Sequence, residues 1–222
     1  MDDPALDSAE HLQALRGLER VNRVSRSVPI VWGPIRALAR EIGGRPLRVL
    51  DVATGAGDVP IGLARKVRQA GIVLQIDACD QSPRALEHAR QRAEQAGVDV
   101  RFFELDAVAD PIPSGYDAVI CSLFLHHLED AQVVDLLRRM GEAAQHRVVI
   151  NDLVRSPTSL ILVYLATRLF SSSHVVHTDG PRSVRAAYTL EEIRTMAEKA
   201  GLASAAVEKR WPCRFLLVWN RA

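Results

Sequence analysis

Residues 49–58 read VLDVATGAGD, an apolar run that ends in an acid and is followed by two glycines one residue apart. LRVLDV, residues 47–52, has the make-up of a short buried strand, and PIGLARKVRQAG after it places Ile61, Leu63, Ala64 and Val67 at helical spacing. The stretch therefore predicts strand, glycine turn, helix. Gly55 and Gly57 allow backbone conformations closed to other residues, and they clear side chains from a place where a ligand can approach the main chain at a helix N-terminus. A dinucleotide fingerprint needs a third glycine three residues after the second, but that position is Pro60, and Gly62 is out of register. Asp51, at the strand's end, would repel a diphosphate and attract a cation such as an amino acid's ammonium. The loop thus predicts a nucleotide-like ligand with one cationic end. The competing reading is an ordinary strand-to-helix turn in which Asp51 caps the helix.

A chain of 222 residues with 48% hydrophobic side chains is long enough for one substantial core and short for two, so one domain with appendages is expected. Its 28 Lys and Arg nearly balance 27 Asp and Glu, a formal charge of +1, which gives no overall field to recruit nucleic acid or an anionic membrane. The start, MDDPALDSAEHL, is acidic and polar rather than an apolar leader, and no apolar run is long enough to span a bilayer. A soluble, cytoplasmic protein without a membrane span is the expectation. Cys79, Cys121 and Cys213 lie far apart in or beside strand-like segments, where small buried hydrophobes go. Neither a disulfide framework nor a metal site is expected.

Residues 8–42 read as helical, in two pieces separated by a break near Ser27 and Pro29: AEHLQALRGLERVNRV and GPIRALAREIG. From residue 46 onward strands and helices alternate. IVLQIDACD, VDVRFFELDA, YDAVICSLFL and HRVVINDL are expected strands, with helices over PRALEHARQRAEQAG and EDAQVVDLLRRMGEAA. Continuous apolar strands in that rhythm specify a parallel sheet covered on both faces. Residues 153–188 break the rhythm as an irregular, partly helical insertion, and TLEEIRTMAEKAGL, SAAVEKRW and CRFLLVWNR close the chain as helix, strand, strand. The expected division is an N-terminal helical cap, 1–45, and a main domain, 46–222, that carries the insertion.

Ligands of open α/β sheets sit beyond the carboxyl ends of the strands. Those ends hold Asp51 and the glycines, Asp80, Asp106, the run from Ser122 to His127, and Asn151 with Asp152. Asp80 suits a ribose diol, with a helix N-cap ahead of Pro83 as the alternative.

VLDVATGAGD, the CD of CDQSPRAL, the ELDA of FFELDA and YDAVICSLFLHHLED, in this order, resemble the motifs of class I S-adenosylmethionine-dependent methyltransferases over about residues 47–152. The resemblance implies a Rossmann-like, seven-stranded, mostly parallel sheet with an antiparallel final strand, N-terminal helices and a helical lid insertion. It also implies S-adenosylmethionine as cofactor. Gly55 and Gly57 would pass along its methionine part with Asp51 near the ammonium. Asp80 would hold the ribose, Asp106 and Ala107 the adenine, and Ser122 would offer its backbone to the methionine end. Ala53, Thr54, Gln81, Leu123 and His127 complete the lining that the family pattern implies. The loop departs from the commoner family sequence at ATGAG, which leaves the role of Thr54 open.

Methyl transfer from a sulfonium is an in-line displacement, so an aligned acceptor in a water-poor pocket supplies much of the catalysis. SLILVYLATRLF, residues 159–170, is too apolar for a surface loop and would either roof that pocket or form a core or dimer contact. An apolar roof and N-terminal helices imply a small acceptor with a flat or lipid-like body: a phenol, a quinone or a polyketide. The chain is also similar to methyltransferases of ubiquinone biosynthesis and polyketide clusters. An oxygen acceptor calls for a base, and His126 is the first candidate, ahead of His174 and His177, because imidazole titrates near neutrality. The spacing in HVVHTD, residues 174–179, could also hold a metal, but no cysteine accompanies it. Arg155, Arg168, Arg182 and Arg185 surround the insertion and could read a substrate anion. Competing functions are a nicotinamide-dependent oxidoreductase, which Pro60 and the lack of a Tyr and Lys pair disfavour, a nucleic-acid methyltransferase, and a cofactor-binding scaffold without catalysis.

Overall fold

The computed structural model describes residues 27–170 and 174–221, so the helix expected over AEHLQALRGLERVNRV lies outside the described residues. Helix α1 spans Ser27–Ile42, six residues earlier than the GPIRALAREIG segment. The described residues open with this helix, which runs through both Pro29 and Pro34, so the break expected near Ser27 falls at their edge. Val31, Ile35 and Leu38, spaced four and three apart, are buried against the sheet.

The elements that follow alternate as the sequence predicts. They are β1 (Leu47–Val52), α2 (Asp58–Ala70), β2 (Leu74–Asp80), α3 (Pro83–Ala96), β3 (Arg101–Glu104) and β4 (Tyr116–Ser122), then a 3-10 turn at Leu125–His127, α4 (Asp130–Ala143) and β5 (Ala144–Leu153). The insertion holds α5 (Pro157–Phe170) and α6 (His174–Ala186), and α7 (Leu190–Lys199), β6 (Ala206–Arg210) and β7 (Arg214–Asn220) complete the chain. The seven strands form one sheet in the order β3-β2-β1-β4-β5-β7-β6. The first five pair in parallel, and β7 runs antiparallel to both β5 and β6. This is the class I methyltransferase topology. Two segments differ from their expected form. VDVRFFELDA pairs only over Arg101–Glu104, because β3 is an edge strand with a single neighbour, and the insertion is two regular helices rather than an irregular stretch.

The sheet divides the core into two layers. Leu50, Val52, Val119, Cys121, Val148, Ile150, Phe215 and Leu217 face α4 and α7. Val49, Ala118, Ile120, Val149 and Leu216 face α1 and α2. Burial on both faces accounts for the unbroken apolar runs of β4 and β5. All three cysteines are buried and free, as small hydrophobes. At the amino edge Asp117 accepts two bonds from Arg45, at 2.8 and 2.5 Å, and one from the Arg48 amide at 2.8 Å, which ties the start of β1 to β4.

In the insertion, α5 packs against α6, and α6 packs on the 3-10 turn. Ile161, Leu165 and Leu169 on α5 remain exposed. Among the described residues no helix is long and apolar enough to cross a membrane.

Docking of α1 on α2 can be read from one glycine. A Cβ at Gly62 would lie 2.4 Å from Cγ2 of Val28, a β-branched side chain with little rotamer freedom. We expect Gly62→Ala to destabilise the fold by about 1–3 kcal/mol through overpacking, against the gain of up to ~1 kcal/mol that alanine brings to an open helix. Chemical denaturation decides the sign, and stabilisation would mean that α1 does not sit there.

Candidate cofactor and acceptor site

The glycine loop is held by hydrogen bonds that the linear spacing only partly discloses. Thr54 Oγ1 donates to Asp51 Oδ2 at 2.6 Å, so Thr54 braces Asp51 within the ATGAG loop. Gly55 and Gly57 have φ of +55° and +75°, and Gly57 is the N-cap of α2 with no side-chain cap, so Asp51 does not cap that helix. A Cβ at Gly57 would press on Ala89 at 3.1 Å and Ile61 at 3.2 Å, so this turn needs glycine twice over. Asp80 accepts from the Gly55 amide at 2.7 Å and the Ser82 amide at 2.9 Å, so it braces the loop from β2. The N-cap of α3 is Ser82, whose hydroxyl accepts from Ala85, rather than Asp80. Gln81 beside it is exposed.

Two residues without a glycine's freedom also have positive φ: Ala53 at 55°, after β1, and Leu123 at 62°, after β4. Such strain persists only where the surroundings impose it, and it clusters at ligand sites. Here both positions flank the edge where the central strands end. Asp106 Oδ1 accepts from the Val108 amide at 2.8 Å, and Arg139 holds the Ala107 carbonyl at 2.8 Å, which fixes the loop after β3. Ser122 Oγ accepts from Asn151 Nδ2 at 2.7 Å across β4 and β5.

Asp51 is the electrostatic centre of this edge. Its side chain is buried, and Oδ1 has no hydrogen-bond partner. Burial pushes its carboxyl up to about 7; the Thr54 hydrogen bond works downward, and the nearby Asp80 and Asp58 work upward. A sealed, unpaired carboxylate oxygen beside a glycine turn fits a cationic ammonium, so the residues present fit the amino-acid end of S-adenosylmethionine. Asp51, Gly55, Gly57 and Asp80 would hold it, with Asp106 and Ala107 placed at the next strand's end.

The histidines fall in different settings. His126 is buried, and its Nδ1 lies 2.7 Å from Asp152 Oδ1. Asp152 Oδ2 accepts from the Leu125 amide at 2.7 Å. Burial works upward on the Asp152 carboxyl, but His126, the Leu153 amide and Arg214 together hold it below the usual range. The strand ends place Asp152 in the candidate region, but its pairing with His126 comes from the adjacency of β4 and β5, which residue spacing does not display. His127 stacks on His126 with ring centroids 4.1 Å apart, and its ring is exposed. His177 lies on α6, which packs against the 3-10 turn; the side chain of His174 lies outside the described residues. Of the insertion's arginines, Arg155 pairs with Glu192, Arg168 stacks 3.4 Å from the Tyr164 ring, and Arg182 and Arg185 are exposed. An open cleft lined by Leu38, Ile42, Arg45, His146 and Arg147 lies at the opposite, amino edge. Its arginines are engaged with Asp117 and Glu41, so we set it apart from the site.

A glycine turn after β1, an acid closing β2 and a buried acid open to a cation define an α/β domain for a nucleoside cofactor with an amino-acid end. Residues 49–146 match the family described as Methyltransferase domain. Over these residues, somewhat under half of the chain, the sequence is similar to a methyltransferase domain, and the sheet has the fold of class I S-adenosylmethionine-dependent methyltransferases. A demethylmenaquinone methyltransferase of Thermus thermophilus is 38% identical over 96 residues, 43% of this chain and 42% of that protein. A 3-hydroxy-5-methyl-1-naphthoate 3-O-methyltransferase of Streptomyces sahachiroi is 29% identical over 152 residues, 64% of this chain and 40% of that protein. The chain thus spans about two fifths of the length of these two relatives. Among solved structures, the apo form of the S-adenosylmethionine-dependent methyltransferase SibL aligns with a TM-score of 0.69 at 22% identity, over 98% of this chain and 60% of that one, a likeness of fold.

The raised Asp51 carboxyl gives a signed prediction. Without ligand, the folded chain holds a proton on Asp51 that the unfolded chain has lost between pH about 4 and 7, so this residue lowers stability as pH rises through that window. Asp51→Asn should therefore be the more stable protein at pH 7 to 8. For S-adenosylhomocysteine the order reverses. Wild-type affinity should rise with pH towards 7, and Asp51→Asn should bind roughly tenfold or more weakly with that dependence gone. Calorimetry across pH 5.5–7.5 checks this, and parallel binding curves for the two proteins would remove Asp51 from cofactor recognition.

Proposed function

We propose that the chain transfers a methyl group from S-adenosylmethionine to an oxygen of a small, largely apolar acceptor of phenol, quinone or polyketide type. The observation that carries this reading is the buried His126–Asp152 pair at the same strand edge as the cofactor cradle. Relatives named for a demethylmenaquinone and for a hydroxynaphthoate support an acceptor with a fused aromatic body. Nucleic acid is not the proposed acceptor, because the charge is balanced. A non-catalytic scaffold would have no need of an oriented imidazole, and the exposed α5 row of Ile161, Leu165 and Leu169 is the surface that a homodimer would use.

The cofactor, when bound, supplies an electrophilic methyl group. The chain's own residues do the rest. Asp51 and the glycine turn fix the amino-acid end, and Asp80 fixes the ribose. In the working tautomer, His126 donates its Nδ1 proton to Asp152, which leaves Nε2 as the base for the acceptor's hydroxyl. Asp152, held by the Leu125 and Leu153 amides, keeps the ring from turning. The insertion, residues 153–188, acts as the lid that excludes water, because α6 already packs over the turn that bears His126. Of the cap expected over 1–45 the described part is α1, which packs on the sheet.

With a phenolic acceptor, His126→Ala should lower turnover on the order of a hundredfold at neutral pH while S-adenosylhomocysteine affinity stays within a few-fold. The loss should shrink as the pH approaches the phenol's own pKa. Near-normal turnover would remove His126 as the base, and a loss independent of pH would reassign it to positioning the acceptor.

Hydrogen exchange tests the lid. Amides in 153–188 should exchange more slowly in the ternary complex than in the free protein, with the strands unchanged. Identical protection in both states would make the insertion a fixed part of the core.

A further inference from the structure

Among the described residues five buried side-chain atoms have no hydrogen-bond partner, and three of them share one face of the sheet at its carboxyl edge: Asp51 Oδ1, Asn151 Oδ1 and Arg214 Nη1. The register places them there. Asp51 pairs with Ile120 and Ile120 with Val149, on the α1 face; Asn151 pairs with Leu216 on the same face, and Leu153 with Arg214. Because β7 is antiparallel, its first residue, Arg214, stands where β5 ends, two strands beyond Ser122 on β4. Asp51 begins this polar row beside the cofactor cradle, and Arg214 ends it on the acceptor side.

Arg214 is 3% exposed. A guanidinium so deep calls for an anion within hydrogen-bond reach, since burial of an unpaired charge is costly. Asp152 is near enough to act on it through space, but both Asp152 oxygens are already taken by His126 and the Leu125 and Leu153 amides. Burial accordingly pushes the guanidinium down to about 10, a direction that Asp152 opposes without reversing. The arginines that the sequence singles out around the insertion are paired, stacked or exposed, so none of them offers a dry fork. The unpartnered Asp51 oxygen fits a ligand cation, and Arg214 is its mirror image.

The geometry points to Arg214 as the residue that selects an acceptor bearing a carboxylate, gripped by the planar guanidinium while the hydroxyl faces the methyl donor. This rests on the methyltransferase reading above and narrows its acceptor to a hydroxy acid. A structural arginine and a ligand-reading one predict opposite responses when the charge is removed. A structural partner lost leaves a weaker fold, whereas removal of an unpaired buried cation relieves it.

The probes are 3-hydroxy-1-naphthoate and its neutral carboxamide, titrated calorimetrically into the protein saturated with S-adenosylhomocysteine. Wild type should bind the acid at least roughly tenfold more tightly than the amide, as a charge-assisted pair of bonds requires. Arg214→Met should bind both alike, keep its affinity for S-adenosylhomocysteine within about twofold, and melt no lower than wild type without ligand. Arg214→Lys should retain part of the preference, because it keeps the charge and loses the fork. Equal binding of acid and amide by wild type, failure of either to bind, or a preference that survives in Arg214→Met overturns the inference. So does a steep fall in the melting temperature of Arg214→Met, which would make the arginine structural. If S-adenosylhomocysteine itself fails to bind wild type, the underlying reading falls and takes this one with it.

Discussion

Strands buried on both faces have nowhere to be polar except at their ends, and that constraint organises this molecule. β1, β4 and β5 lie side by side in parallel register under helices on either face, so each interior position must be apolar. Their polar residues are displaced to the two rims. At the amino rim the polar groups satisfy one another, as Asp117 does with Arg45 and the Arg48 amide. At the carboxyl rim Asp51, Asn151 and Arg214 each keep an atom without a partner. Asp77 Oδ1, beside Arg101 and Tyr116, also lacks a partner, so what sets the carboxyl rim apart among the described residues is that three such atoms gather on one face of it.

That unmet demand has a direction. Arg214 lies three strand spacings across the sheet from Asp51, about 14 Å, and four residues further along, about 13 Å, since Asp51 is level with Val149 and Arg214 with Leu153. A carboxylate thus stands at one end and a guanidinium at the other. Two ligands that meet in the middle, one presenting a cation to Asp51 and the other an anion to Arg214, would be oriented by charge before any contact at the reacting atoms. Such orientation suits a displacement in which the protein contributes alignment more than covalent chemistry. His126 and Asp152 stand at the same rim, on the 3-10 turn after β4 and near the end of β5.

Periodicity disclosed the fold more fully than the site. LRVLDV, the glycine turn and the alternation through HRVVINDL fix the parallel sheet because apolar runs and turn residues are local signals. The departures have local causes too. Pro29 reads as a break although the described helix runs through it, and VDVRFFELDA reads as a long strand although an edge strand finds a partner over four residues only. The insertion hid its two helices because α5 is apolar nearly all round, which leaves little periodic contrast.

The site divides along the same line. Asp51, Gly55, Gly57, Asp80 and Asp106 were legible because each closes a strand or opens a turn, and position alone marks it. Asp152 stands at a strand end as well, but its partnership with His126 depends on which strands become neighbours. Arg214 was hidden for a different reason. It opens a closing strand, CRFLLVWNR, where a cation reads as an edge residue in water, and nothing local reveals that antiparallel pairing with β5 draws it under the roof of the acceptor side. A residue whose meaning comes from the sheet order is recovered only once the order is known, and at this rim the same order that hides Arg214 in the sequence sets it opposite Asp51.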